Sequence, residues 1–234
     1  MGLVAPPTAQ VVSRADSRLD RVGWTALEYA PFRYFIVSML CGTSGIFVFN
    51  AALGWYVLGV TGSAAAVGLV FSVSGLPILL LMPQAGVLTD RFGSRAMLIA
   101  NFVALAVVGV IFGLVALGSE PSFALLLTLA LVFGVAETIG APATMAIVND
   151  LVPPSAVSSA TALNFLHMNV GRIIGGLVSG LILAAVSTSL AFFVAAILFA
   201  VPVATLFLVR TREAHQREDR GSTGFLGPIR EAGR

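Results

Sequence analysis

The residues of this chain that could do chemistry are few, and they sit in two kinds of place. One is a charged stretch between long apolar runs, Gly86-Val87-Leu88-Thr89-Asp90-Arg91-Phe92-Gly93-Ser94-Arg95. The other is a set of isolated polar residues deep inside such runs: Asn50, Glu137, Asn164, His167 and Arg172. An Asp beside two Arg at the end of an apolar run can form and break ion pairs at one face of a membrane. A titratable group in mid-run can take up a proton or face a charged ligand. An Arg at the bilayer centre costs about 2.5–3.5 kcal/mol on insertion scales, so Arg172 should face a cavity or a partner. Glu137 is the acid at comparable depth, and two arrangements are open. Either Glu137 and Arg172 form a buried pair that holds two helices, or they line a cavity and change partners as a proton or substrate binds. His167 has no companion His, Cys or second acid at ligand spacing, so neither a metal nor another cofactor is expected.

The elements that must position these residues follow from composition. Of 234 residues, 58% are hydrophobic and 10% charged. Soluble domains carry about 25% charged residues, so the solvent of this chain is expected to be lipid. Six runs are long enough to cross a bilayer as helices, at about 34–59, 65–88, 96–118, 122–148, 157–185 and 189–209. Barrel strands would be about 10 residues long with alternating polarity. The expected class is therefore an all-α membrane protein, with a cytoplasmic segment over 1–32, a six-helix bundle over 33–209 and a polar tail over 210–234. Three helices followed by three more also fit an inverted 3+3 repeat.

Orientation follows from the basic residues, all of which are Arg. One side of the membrane holds Arg14, Arg18, Arg21, Arg33, Arg91, Arg95 and the tail from Arg210. The other side, with the connections near Gly62, Glu120 and Thr188, holds none. By the positive-inside rule both termini are cytoplasmic, in a multi-pass protein of the cell membrane. The net charge of +2 is too small to suggest nucleic acid as a partner. The single cysteine, Cys41, excludes an intrachain disulfide.

On a helical wheel Asn164, His167, Gly171, Arg172, Gly175 and Ser179 share one face of the fifth run. Gly171-x-x-x-Gly175 and Gly176-x-x-x-Gly180 would let a neighbouring helix approach closely. Asn164, His167 and Asn50 could belong to a cavity wall. There is no Gly-rich phosphate loop ending in Lys, no nucleophile elbow and no paired catalytic carboxylates, so an enzyme is not expected.

The charged stretch resembles the loop between helices 2 and 3 of the major facilitator superfamily (MFS), G-x-x-x-D-R-x-G-R-(R/K). It matches at Gly86, Asp90, Arg91, Gly93 and Arg95 and departs at Ser94, where the family usually has Arg. Phe32-Arg33, Thr61-Gly62-Ser63, Asn149-Asp150-Leu151-Val152-Pro153 and Ala162-Leu163-Asn164 are similar to the branch containing siderophore, macrolide and drug exporters. Gly171-Arg172-Ile173-Ile174-Gly175, with Ser179-Gly180, looks like the helix-5 antiporter motif. Gly176 stands there in place of Pro, and Ser179 in place of Gly.

The resemblance implies proton-coupled efflux of a small amphiphilic substrate by alternating access. It implies a cytoplasmic gate in which Asp90 caps a helix of the other half and an Arg pairs with Asp150. With Ser94 at the usual pairing position, Arg91 or Arg95 would substitute, or the latch would be weaker. It covers roughly 30–234, the N-terminal half of a twelve-helix fold with the start of its central linker. A second six-helix half or a homodimer is then an expected partner. The other reading is a truncated fragment or an accessory membrane subunit that transports nothing.

Overall fold

The computed structural model describes residues 24–118 and 121–208. Six long helices span them: α1 (Ala30–Thr61), α2 (Ala64–Phe92), α3 (Ser94–Val115), α4 (Phe123–Leu151), α5 (Val157–Ala185) and α6 (Thr188–Leu208). Each is long and apolar enough to cross a membrane. Short 3₁₀ turns, Thr25–Glu28 and Pro154–Ala156, precede α1 and α5. The expected tail over 210–234, Glu120 and most of the 1–32 segment lie outside the described residues.

The helix ends are set by ordinary local chemistry. Ser63 and Ser122 cap α2 and α4, each accepting a hydrogen bond from a backbone N–H three residues on, at 3.3 Å. Gly62 ends α1 with φ 62° and Gly93 ends α2 with φ 88°, conformations that only glycine adopts cheaply. The charged stretch expected as a loop is mostly helix. α2 continues through Asp90, Arg91 and Phe92, and only Gly93 separates it from α3. Neither Asp nor Arg breaks a helix, and Gly86 keeps helical geometry within α2, so a single left-handed residue makes the whole corner.

Packing follows a pattern that the sequence only hints at. The main contacts are α1 with α5, α2 with α4, α1 with α6, α3 with α4 and α3 with α6. Exchanging α1, α2, α3 for α4, α5, α6 leaves this set unchanged. Successive spans alternate in direction, so α1 and its counterpart α4 cross in opposite senses, as an inverted 3+3 repeat requires. Glycines permit the tightest crossings. A Cβ on Gly134 would overlap the Ser74 carbonyl of α2, and one on Gly175 would meet the Ser44 carbonyl of α1 at 2.5 Å. These two contacts join the symmetry-related pairs α2–α4 and α1–α5.

The core between the Gly62 end and mid-depth is aromatic. Phe49 stacks on Phe133 with centroids 4.0 Å apart and meets Phe112 and Phe192 edge-on at 5.2 and 5.3 Å. These four rings come from α1, α4, α3 and α6. Tyr56 donates to the Val115 carbonyl at 3.2 Å and ties the end of α1 to the end of α3.

Candidate functional site at mid-depth and at the Asp90 corner

Glu137 is the midpoint of α4 and Arg172 lies within one residue of the midpoint of α5. At this depth a cavity of about 190 Å³ opens between α1, α3, α4 and α5. Its polar wall is Glu137, His167, Asn101, Thr43 and Thr144. Its apolar wall includes Met39, Met145, Met168, Ile46, Phe102 and Leu105. Asn101 donates from Nδ2 to the Ala136 carbonyl at 2.6 Å, which ties α3 to α4 one residue before Glu137. A Cβ on Gly140 would lie 2.6 Å from Asn101 Oδ1, so glycine there makes room for the amide.

Of the polar residues singled out from the sequence, Glu137 and His167 come together in this wall. Arg172 is not part of it, and no Glu137–Arg172 ion pair forms. The Arg172 guanidinium lies instead over the Phe47 ring, 5.2 Å from its centroid. Depth is the same, but the two side chains leave their helices in different directions. Asn50 is half-buried and outside the cavity wall. Asn164 is fully buried, and neither its Nδ2 nor its Oδ1 has a hydrogen-bond partner; His167 Nδ1 has none either.

The glycines of α5 divide into two groups. Gly171 and Gly175 press on α1, where added Cβ atoms would meet Thr43 and Phe47 at 2.9 and 2.7 Å. Gly176 and Gly180, expected to pack in the same way, face open space with nothing within 4 Å. One residue of helix is a turn of about 100°, which carries Gly176 off the face that Gly175 presents to α1.

Asn101, Gly140, Thr43, Thr144 and the three methionines were not singled out from the sequence. Asn101 could have been, because it is a lone amide in the otherwise apolar interior of α3. The methionines carry no signal of their own, since Met fills cores as readily as cavity walls.

At the Asp90 corner, Ser94 is buried and donates to Asp150 Oδ2 at 3.1 Å. The acid at the end of α4 thus receives a hydroxyl at the position where the expected pattern has a guanidinium. Arg95 reaches the far end of α6, donating from Nε to the Leu206 carbonyl at 2.9 Å and from Nη2 to the Phe207 carbonyl at 3.2 Å. Both carbonyls lie in the last described turn of α6, toward the negative end of the helix dipole, where a cation is favoured. Arg91 lies 5.5 Å from the Phe92 ring centroid, and Asp90 is exposed beside it. Arg95→Gln is expected to lower the stability of the bundle by about 1–2 kcal/mol, from two charge-assisted bonds and the dipole contact. Thermal melts in detergent measure it, and an unchanged melting temperature would contradict the capping role.

Six spanning helices packed as an inverted repeat, with a polar cavity at mid-depth and a charged corner at one membrane face, define half of a major facilitator fold. The chain belongs to the family described as transmembrane secretion effector, an MFS family whose model matches residues 21–234. It is 29% identical over 143 residues to the "Uncharacterized MFS-type transporter YuxJ" of Bacillus subtilis, covering 61% of this chain and 35% of that protein. It is 25% identical over 176 residues to the "Staphyloferrin A transporter" of Staphylococcus aureus, covering 73% of this chain and 43% of that protein. The chain thus matches about two fifths of the length of these relatives. No solved structure matches it.

Proposed function

We propose that this chain forms half of a secondary transporter that moves small amphiphilic compounds by alternating access, with proton-coupled efflux as its direction and drive. The carrying observation is the mid-depth cavity, which holds an acid, a histidine and an amide among methionines. Transporters of this build bind substrate and coupling ion near the bilayer midplane, between two repeats. Two further features support the reading. In α2 and α5 only 11% and 17% of the most apolar window is buried within the chain, against 39–50% in the other four helices. Those two helices therefore have broad faces available to a second six-helix bundle. In addition, Asp90 is exposed at the corner, where a latch to such a bundle would sit.

The test joins the chain to the second half of a full-length relative and reconstitutes both forms in liposomes under a proton gradient. Gradient-driven flux of fluorescent export substrates is expected from the joined protein and not from the chain alone. Flux from the chain alone, lost on Asp90→Ala, would overturn the half-carrier assignment. No flux from either, with folded protein verified, would overturn transport and favour a non-transporting accessory bundle. The proposed orientation has a separate check. Reporter fusions after Arg212 should read as cytoplasmic and fusions at Glu120 as external; the reverse result would invert the topology and, with it, the direction of efflux.

A further inference from the structure

We infer that Arg172 is an anion subsite, and that the compound this protein handles carries a carboxylate or similar oxyanion on an apolar body; this rests on the carrier reading above. Three observations meet at Arg172. First, it sits at mid-depth and is exposed, although a cation there is costly unless something answers it. Among the described residues no carboxylate forms an ion pair with it, and its one recorded contact is the ring of Phe47. A cation–π contact at 5.2 Å offsets part of that cost but supplies no acceptor for the guanidinium N–H groups.

Second, its position is fixed. Gly171 and Gly175 flank it and hold α5 so close to α1 that no side chain fits at either place. The Phe47 Cβ is itself one of the atoms at that contact. Arg172 is thus presented on a rigid seam, the preorganisation that bidentate recognition of a carboxylate needs.

Third, it stands one helical turn beyond the cavity lining, and its own helix leaves space beside it. Met168, which lines the cavity, is the residue one turn before it, and Thr43 of the cavity wall is one turn before Phe47 on α1. One turn is about 5.4 Å along the axis. On the other side of Arg172 the next turn presents Gly176, with nothing within 4 Å. A ligand whose apolar body lies against Met39, Met145 and Met168 would bring an anionic group one turn further along, to the guanidinium.

The experiment uses the purified full chain in nanodiscs and follows fluorescence anisotropy of dansyl-aminoundecanoic acid and of its methyl ester. The wild-type chain is expected to bind the acid about tenfold more tightly than the ester, the scale of one charge-assisted contact. Arg172→Gln should remove that preference and leave ester affinity unchanged. Arg172→Lys should keep part of it, because the charge remains while the fork is lost. Equal binding of acid and ester by the wild type, no saturable binding of either, or a preference that survives Arg172→Gln would overturn the inference. So would an equal loss of both affinities in Arg172→Gln, which would mark Arg172 as structural, or as the partner of an acid on another bundle. Failure of the carrier reading is distinct. Acid preference without flux from the joined protein leaves the subsite standing, whereas flux without acid preference removes the subsite alone.

Discussion

Gly134→Ala is expected to unfold or misassemble the bundle, while the same change at Gly176 is expected to be neutral or slightly stabilising. Both residues lie inside long helices, so the intrinsic gain of alanine over glycine, about 1 kcal/mol, applies in the same direction to each. They differ in what the new methyl group meets. At Gly134 it would overlap the backbone carbonyl of Ser74, and backbone cannot rotate aside as a flexible side chain can. α2 would have to move away from α4, its principal contact. Overpacking typically costs 1–3 kcal/mol, and a forced separation of two helices belongs at or above the top of that range, so a net loss of about 2–3 kcal/mol or more is expected. At Gly176 the methyl would enter open space. Thermal melts and size-exclusion profiles in detergent check both. Equal behaviour of the two variants would mean that the α2–α4 crossing is not as close as described.

The second large effect is expected at Glu137. In the joined transporter, Glu137→Gln should reduce gradient-driven flux at least tenfold while leaving the protein as stable as the parent, or more so. The carboxylate sits at the midpoint of α4, lines the cavity and makes no ion pair among the described residues. A charged group in that position is costly, and its default reading is a proton or ion site. His167 of α5 lines the same cavity and is a candidate for exchange of that proton. The neutral amide keeps the shape and removes both the charge and the ability to titrate. A factor of ten corresponds to about 1.4 kcal/mol in the barrier, which loss of a coupling group readily exceeds. Undiminished gradient-driven flux in Glu137→Gln would remove Glu137 from the coupling step. A parallel fall in melting temperature would instead assign it to holding the helices.

What could be read from the sequence here was depth. Position within an apolar run placed Glu137 and Arg172 at the same level, and the structure has both at mid-helix. Direction around the helix was not legible. Nothing in the chain itself says that Glu137 turns into a cavity while Arg172 turns toward Phe47. The same limit explains the glycines of α5, where two registers with identical spacing compete and only one faces α1. Long-range polar contacts were hidden for a different reason, except where the family resemblance already named the partner, as it did for Asp150 at the Ser94 position. Arg95 meets Leu206 across 111 positions, and no motif announces it. Pairings of that separation depend on which helices become neighbours, and the pattern of apolar runs leaves that open. The capped helix ends and the six spans, by contrast, depend on residues close together in the chain.

The two left-handed glycines of the described chain, Gly62 and Gly93, stand one at each end of α2. Between them the helix packs mainly along one neighbour, α4, and it carries two internal prolines, Pro77 and Pro83. Mechanically this is a bar hung on two pivots and resting on a single rail. Rotation at two residues is enough to tilt it, and glycine tolerates that rotation with little torsional penalty. Its counterpart in the inverted repeat, α5, has no such mounting at its start, because Pro153 and Pro154 open the 3₁₀ turn before it and fix φ there. The two halves of the repeat are thus alike in packing and unlike in compliance. Under a lateral load, α2 is the member that yields and α5 the one that holds its place.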